Sequence, residues 1–161
     1  MTTTNTQPKA LLTMGLPGAG KSHVLSTKYA GFCQSAVMID PDLIKQEKVD
    51  YDPKNPAVYH EWSKQEAKKR QMLAMVNGQN LVVDGTGTNV EKMVKQIRDL
   101  ESMGYEVEVV YVRVKLTTSI QRNASRERTV PVEIIMEKHE LISTAFEILS
   151  SYTTVTVVNN D

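Results

Sequence analysis

A single cysteine, Cys33, stands among 161 residues. That excludes an internal disulfide framework and any Cys-based zinc site. An excess of one charge is missing too. Nineteen Lys and Arg meet nineteen Asp and Glu, for a formal net charge of zero, so total charge draws the chain neither to nucleic acid nor to membranes. No apolar run approaches the roughly 20 residues that span a bilayer. The Thr-rich start at 1–8 lacks the apolar core of a signal peptide or anchor and reads as a frayed tail. Internal repeats, low-complexity tracts and Pro/Gly linkers are absent, and His60-Glu61 has no second His at zincin spacing. The expectation is a cytoplasmic protein with one domain over 9–161, long enough to bury roughly 70% of its unfolded surface. An anionic ligand must then be held by a local site.

What is present is an alternation of short apolar runs and longer helix-like stretches. Ala10–Met14 stops at Gly15, Ala36–Ile39 at Asp40 and Leu81–Val83 at Asp84, while Val107–Val114 and Val155–Val158 are rich in β-branched residues. Continuous runs of this kind fit strands buried on both faces of a parallel sheet. Between them, Lys21–Tyr29 follows a glycine loop, and Ala57–Val76 contains no Gly or Pro. Val90, Met93, Val94, Ile97 and Leu100 recur at helical spacing before Gly104, and a second stripe runs from Val132 to Leu149. Strands separated by helices predict right-handed crossovers and a three-layer α/β sandwich, with strand order left open.

Gly15-Leu16-Pro17-Gly18-Ala19-Gly20-Lys21-Ser22 fits G-x-x-x-x-G-K-[S/T] between a buried strand and a helix. Glycines let successive N–H groups turn inward around phosphate oxygens, and the following helix aims its positive end at the same anion. Lys21 is then placed for the β- and γ-phosphates and the Ser22 hydroxyl for Mg²⁺. Pro17, Ala19 and His23 complete the nucleotide-facing set.

Three acids fall at strand ends, where ligands of parallel sheets sit. Asp84 ends an apolar run, as an acid orienting Mg²⁺ does. Pro41 suits a helix first turn, which makes Asp40 its N-cap and frees Asp42 to face the cleft. A free carboxylate there can accept the proton of an attacking hydroxyl; alternatively, both acids serve only to stabilise the helix start. Farther on, Lys115, Arg122, Arg126 and Arg128 form a basic stretch. On a helix Arg122 and Arg126 share a face and suit a transferring phosphoryl group from a lid over about 117–131; the alternative is a solvated helix face. Trp62 with Tyr59 could stack a base, but core packing is favoured, and His139 and Cys33 read as structural.

Four segments together resemble small P-loop kinases of the zeta-toxin and polynucleotide-kinase kind, over about Ala10 to Leu149. They are the glycine loop, Ile39-Asp40-Pro41-Asp42-Leu43-Ile44-Lys45, Val83-Asp84-Gly85-Thr86-Gly87-Thr88-Asn89, and Arg122 to Pro131. The resemblance implies a P-loop NTPase sandwich with a five-strand parallel core and a helical lid. It implies Asp42 as general base and Lys45 as a basic group near the acceptor. Thr86, Asn89 and Arg128 fall on the acceptor side, and Arg126, with Arg122, near phosphate. Thr88 stands where the zeta pattern has a basic residue. The expected activity is transfer of the γ-phosphate of ATP, with Mg²⁺, to a hydroxyl of a nucleotide sugar or similar small acceptor. Two rivals are a polynucleotide 5′-hydroxyl kinase, disfavoured by net neutrality, and a non-catalytic ATP-binding switch controlled by an antitoxin-like partner.

Overall fold

The computed structural model describes residues 7–126 and 129–161. Most of the expected frayed tail, and Arg128 of the basic stretch, therefore lie outside the described residues. Five strands form one parallel sheet: β1 (Lys9–Met14), β2 (Ala36–Ile39), β3 (Asn80–Val83), β4 (Glu106–Arg113) and β5 (Thr154–Asn159), in the order β2-β3-β1-β4-β5. The three inner strands are the most deeply buried, and Leu11, Leu12, Leu81, Val82, Val109 and Val110 make the centre of the core. The edge strands β2 and β5 are only half-buried, as their weaker apolar runs require.

Among the described residues seven helices surround the sheet: α1 (Lys21–Lys28), α2 (Ala30–Ser35), α3 (Pro41–Lys45), α4 (His60–Val76), α5 (Val90–Ser102), α6 (Leu116–Ala124) and α7 (Val132–Leu149). The stripe read in α5 is its buried face, Met93, Ile97 and Leu100. That helix stops where Gly104 enters the left-handed region at φ 87, with Gly104 N–H donating to Glu101 O and Tyr105 N–H to Leu100 O. α7 lays Phe146 against Tyr111 of β4, ring centroids 5.2 Å apart. α4 begins three residues later than its composition suggests, at His60, with Tyr59 as N-cap at φ 67. The short α2 was not foreseen, since Ala30–Ser35 carries no periodic stripe and buries no residue fully. Among the described residues no helix is long and apolar enough to cross a membrane.

Strand order puts β1 between β3 and β4. The loops leaving β1, β2 and β3 therefore meet at one end of the sheet, and these are the loops that bear the glycine motif, Asp40/Asp42 and Asp84.

Candidate functional site

The glycine loop is built around two left-handed residues, Gly18 at φ 75 and Gly20 at φ 86. Side chains would also lack room, because a Cβ on Gly18 would meet Arg122 Cβ at 3.1 Å and one on Gly20 would strike the Asn160 amide. Gly15 N–H donates to Thr86 O at 3.0 Å and fastens the loop to the segment after β3. Gly20 is the N-cap of α1 and offers no side chain, and the first turn holds no acid. The amide donors at the start of α1 are thus left for an outside acceptor, in a loop whose turns only glycine allows at 18 and 20. Such a cradle of amides fits phosphate.

Lys21 is half-buried, and its Nζ donates to Gly15 O at 3.2 Å. Burial holds its ammonium below the ordinary lysine value. Asp84 counters this, while Lys138 and Arg126 push it further down. Lys138 of α7 and Arg126 thus share the electrostatic neighbourhood of the phosphate loop. Lys138 escaped the sequence reading because α7 was judged by its apolar stripe alone.

Asp84 accepts a hydrogen bond from Thr13 Oγ1 at 2.9 Å, and Thr13 Oγ1 in turn accepts one from Gly85 N–H. Asp40 accepts from Asp42 N–H at 3.0 Å and caps α3, whose first residue is Pro41, as the sequence predicts. Burial, and then the charge of Asp84, push the Asp40 carboxyl above the usual carboxylate range. Two neighbouring carboxylates and the exposed Ser22 hydroxyl make a hard oxygen donor set, which suits Mg²⁺. Among the described residues no three His, Cys, Asp or Glu converge on a metal position, so a Mg²⁺ held here would draw its other ligands from phosphate and water. Asp42, on the first turn of α3, has a side chain 72% exposed and free to meet an acceptor.

Four expected residues are placed differently from their sequence reading. Lys45 is buried, its Nζ donating to Pro56 O at 2.9 Å; it does not project toward an acceptor. Asn89 caps α5, its Oδ1 accepting from Lys92 N–H at 3.1 Å. Arg122 donates to Gly18 O at 3.1 Å and Asn160 O at 2.8 Å, bracing the glycine loop through its carbonyls. Arg126 shares no helix face with it, because α6 ends at Ala124 and Arg126 N–H closes the next turn on Asn123 O. Ser125 is the C-cap there, so the four-residue spacing does not become a helical one.

Thr86 stays in the site, its hydroxyl 3.2 Å from that of Thr88. His23 is exposed on the first turn of α1. Trp62 packs partly buried against the core, with Lys48 Nζ 4.2 Å from its ring centroid, in line with the packing role. The C-terminal Asn160 and Asp161 were missed altogether. Asn160 Nδ2 donates to Ala19 O, while Asp161 Oδ1 accepts from Lys115 N–H and Thr118 Oγ1 at the start of α6. No motif marks them, since only the fold returns the chain end to the glycine loop.

A family model described as Zeta toxin matches residues 1–161. Toxin zeta of Enterococcus hirae is 25% identical over 130 residues, covering 76% of this chain and 46% of that protein. The chain thus spans about half the length of the curated relatives it matches. Among solved structures, one from the PezAT chromosomal toxin–antitoxin system of Streptococcus pneumoniae superposes with a TM-score of 0.82 at 21% identity, over 96% of this chain and 70% of that one. A chain of the Pnkp1/Rnl/Hen1 RNA repair complex does so with a TM-score of 0.67 at 16% identity, over 92% and 49%.

Proposed function

This chain belongs to the zeta-toxin family, and on that premise we propose that it is an ATP- and Mg²⁺-dependent kinase that phosphorylates a hydroxyl of a nucleotide sugar or similar small acceptor. The observation that carries the reading is the meeting of an uncapped glycine cradle, a half-buried Lys21 and the acids of two neighbouring strand ends. A phosphate-binding cradle alone serves many proteins. Beside it, an exposed carboxylate suits proton acceptance from an incoming hydroxyl.

Each residue then has a defined task. The amides of the glycine loop and of α1 hold phosphate oxygens, and Lys21 neutralises charge where the γ-phosphoryl leaves its bridging oxygen. Mg²⁺, held through Ser22 and Asp84, supplies further charge neutralisation when bound. Asp42 aligns the acceptor hydroxyl and takes its proton as the new P–O bond forms and ADP departs. Arg126 and Lys138 oppose the charge on the transferred group. Arg122 works indirectly, by keeping the loop carbonyls turned away from the phosphate. The domain over 9–161 acts as one unit, with the lid rooted on α6. An antitoxin-like protein partner belongs to the same reading, supported by family membership and by the PezAT likeness.

The test is acceptor-dependent ADP formation with ATP, Mg²⁺ and a panel of UDP-sugars, for wild type and Asp42→Asn. Turnover in the variant is expected to fall by about 10²–10⁴ with ATP binding retained; equal turnover removes Asp42 from the base role. A second reading, 5′-hydroxyl polynucleotide kinase, draws on the basic stretch from Lys115 to Arg128. It predicts labelled phosphate on a short 5′-OH oligonucleotide, with binding that weakens steeply in salt.

A further inference from the structure

Among the described residues the buried polar side chains are Thr13, Lys45, Ser63, Ser119 and Asn123, so Lys45, 3% exposed, is the only one with a full charge. An ammonium is removed from water only where partners replace its hydration. Three partners surround this one: Pro56 O at 2.9 Å, His60 Nδ1 at 3.2 Å and Asp42 Oδ1 at 3.8 Å. Lysine has three donors and no acceptor, so in this contact His60 Nδ1 is the acceptor.

The partners come from three separate pieces of chain. Asp42 lies one turn earlier on α3, Pro56 in the connection between α3 and α4, and His60 at the first position of α4. With five residues, α3 is too short to hold its own shape in water. The direction of Asp42 therefore depends on what fastens α3. A second tie joins the two segments just past the end of α3, where Arg70 of α4 donates to both carboxylate oxygens of Glu47 at 2.6 and 2.8 Å. Being buried, Lys45 cannot be reached by an acceptor without disruption of these bonds.

We infer that Lys45 is a positioning residue: through Pro56 and His60 it locks α3 to the start of α4 and so aims the Asp42 carboxylate. This rests on the reading of Asp42 as general base. It differs from the acceptor-contact role that the resemblance implied, since Lys45 acts through Asp42 and touches no substrate.

The experiment compares Lys45→Met, His60→Leu and His60→Asn with wild type, using ATP and UDP-sugars as probes. Asn can present an acceptor close to the place of Nδ1, and Leu cannot. Lys45→Met and His60→Leu are expected to lower kcat at least tenfold with KM for ATP within twofold, whereas His60→Asn stays within about threefold of wild type. The Arg70–Glu47 tie keeps α3 attached, and an unchanged far-UV spectrum checks that the variants fold. In parallel, the imidazole ¹⁵N spectrum should show Nδ1 as acceptor in wild type and lose that signature in Lys45→Met, with amide exchange over 42–59 at least tenfold faster. An unchanged kcat, or a change confined to the acceptor KM, overturns the inference. If wild type phosphorylates no UDP-sugar, the proposed function has failed on its own; an unchanged imidazole spectrum and unchanged exchange then overturn the tie separately.

Discussion

Lys21 and Asp84 show how single residues are set against the stability of the free protein for the sake of a ligand. Burial depresses Lys21, so between its folded value and the ordinary lysine value the unfolded chain binds more protons, and stability rises with pH across that window. At neutral pH the half-buried ammonium is therefore a liability. Lys21→Met should raise the melting temperature of the nucleotide-free protein by a few degrees. It should also abolish the stabilisation by ATP that wild type gains, about 2.7 kcal/mol at a hundredfold excess over Kd. Thermal scans with and without ATP measure both. Asp40 has the opposite linkage, raised by burial and then by Asp84. Stability falls as pH climbs from the unfolded to the folded value of Asp40. Asp84→Asn should flatten that fall, bring the Asp40 carboxyl back toward the usual range in a ¹³C titration, and weaken Mg²⁺ binding.

Among the elements, α6 is tied directly to the phosphate loop. Ser119 Oγ donates to Pro17 O at 2.5 Å and Arg122 reaches Gly18 O. Asn123, 4% exposed, closes the basic segment by accepting from Val130 N–H at 2.9 Å and donating to Val130 O at 2.7 Å. Its side chain acts as a strand would, pairing with both polar groups of one residue. Asn123→Ala leaves both groups without these partners and should cost about 2–3 kcal/mol. Hydrogen exchange should accelerate at Val130 while the sheet amides keep their protection.

Across the whole molecule, one charged network joins the sheet to the helices beside it. Burial works against ionisation of Glu108, but hydrogen bonds from Lys9, Thr156 and Tyr29 outweigh it and hold the carboxyl below the usual glutamate value. A depressed carboxylate stabilises above the unfolded value and loses that contribution as pH falls through the folded one. Glu108→Gln should thus lower stability by about 2 kcal/mol at pH 7, with the two proteins converging in urea titrations as pH falls below the ordinary glutamate value. The loss is global, because Glu108 links β1, β4, β5 and the end of α1.

Local chemistry made much of this legible in one dimension. The β-branched runs, the stop at Gly104, the cap at Asp40 with Pro41 behind it, and the glycine loop all rest on contacts within a few residues. What required the tertiary structure was the use of polar side chains that have two competing roles at the same spacing. Lys45 is buried on His60 instead of facing an acceptor; Arg122 braces loop carbonyls; Asn89 caps a helix; Lys138 adds to the positive charge felt by Lys21; and Asn160 donates to Ala19 O in the glycine loop. Backbone preference depends on near neighbours and is written locally. The direction and charge of a long polar side chain depend on which distant groups replace its water, and the strand order β2-β3-β1-β4-β5 decides which groups those are.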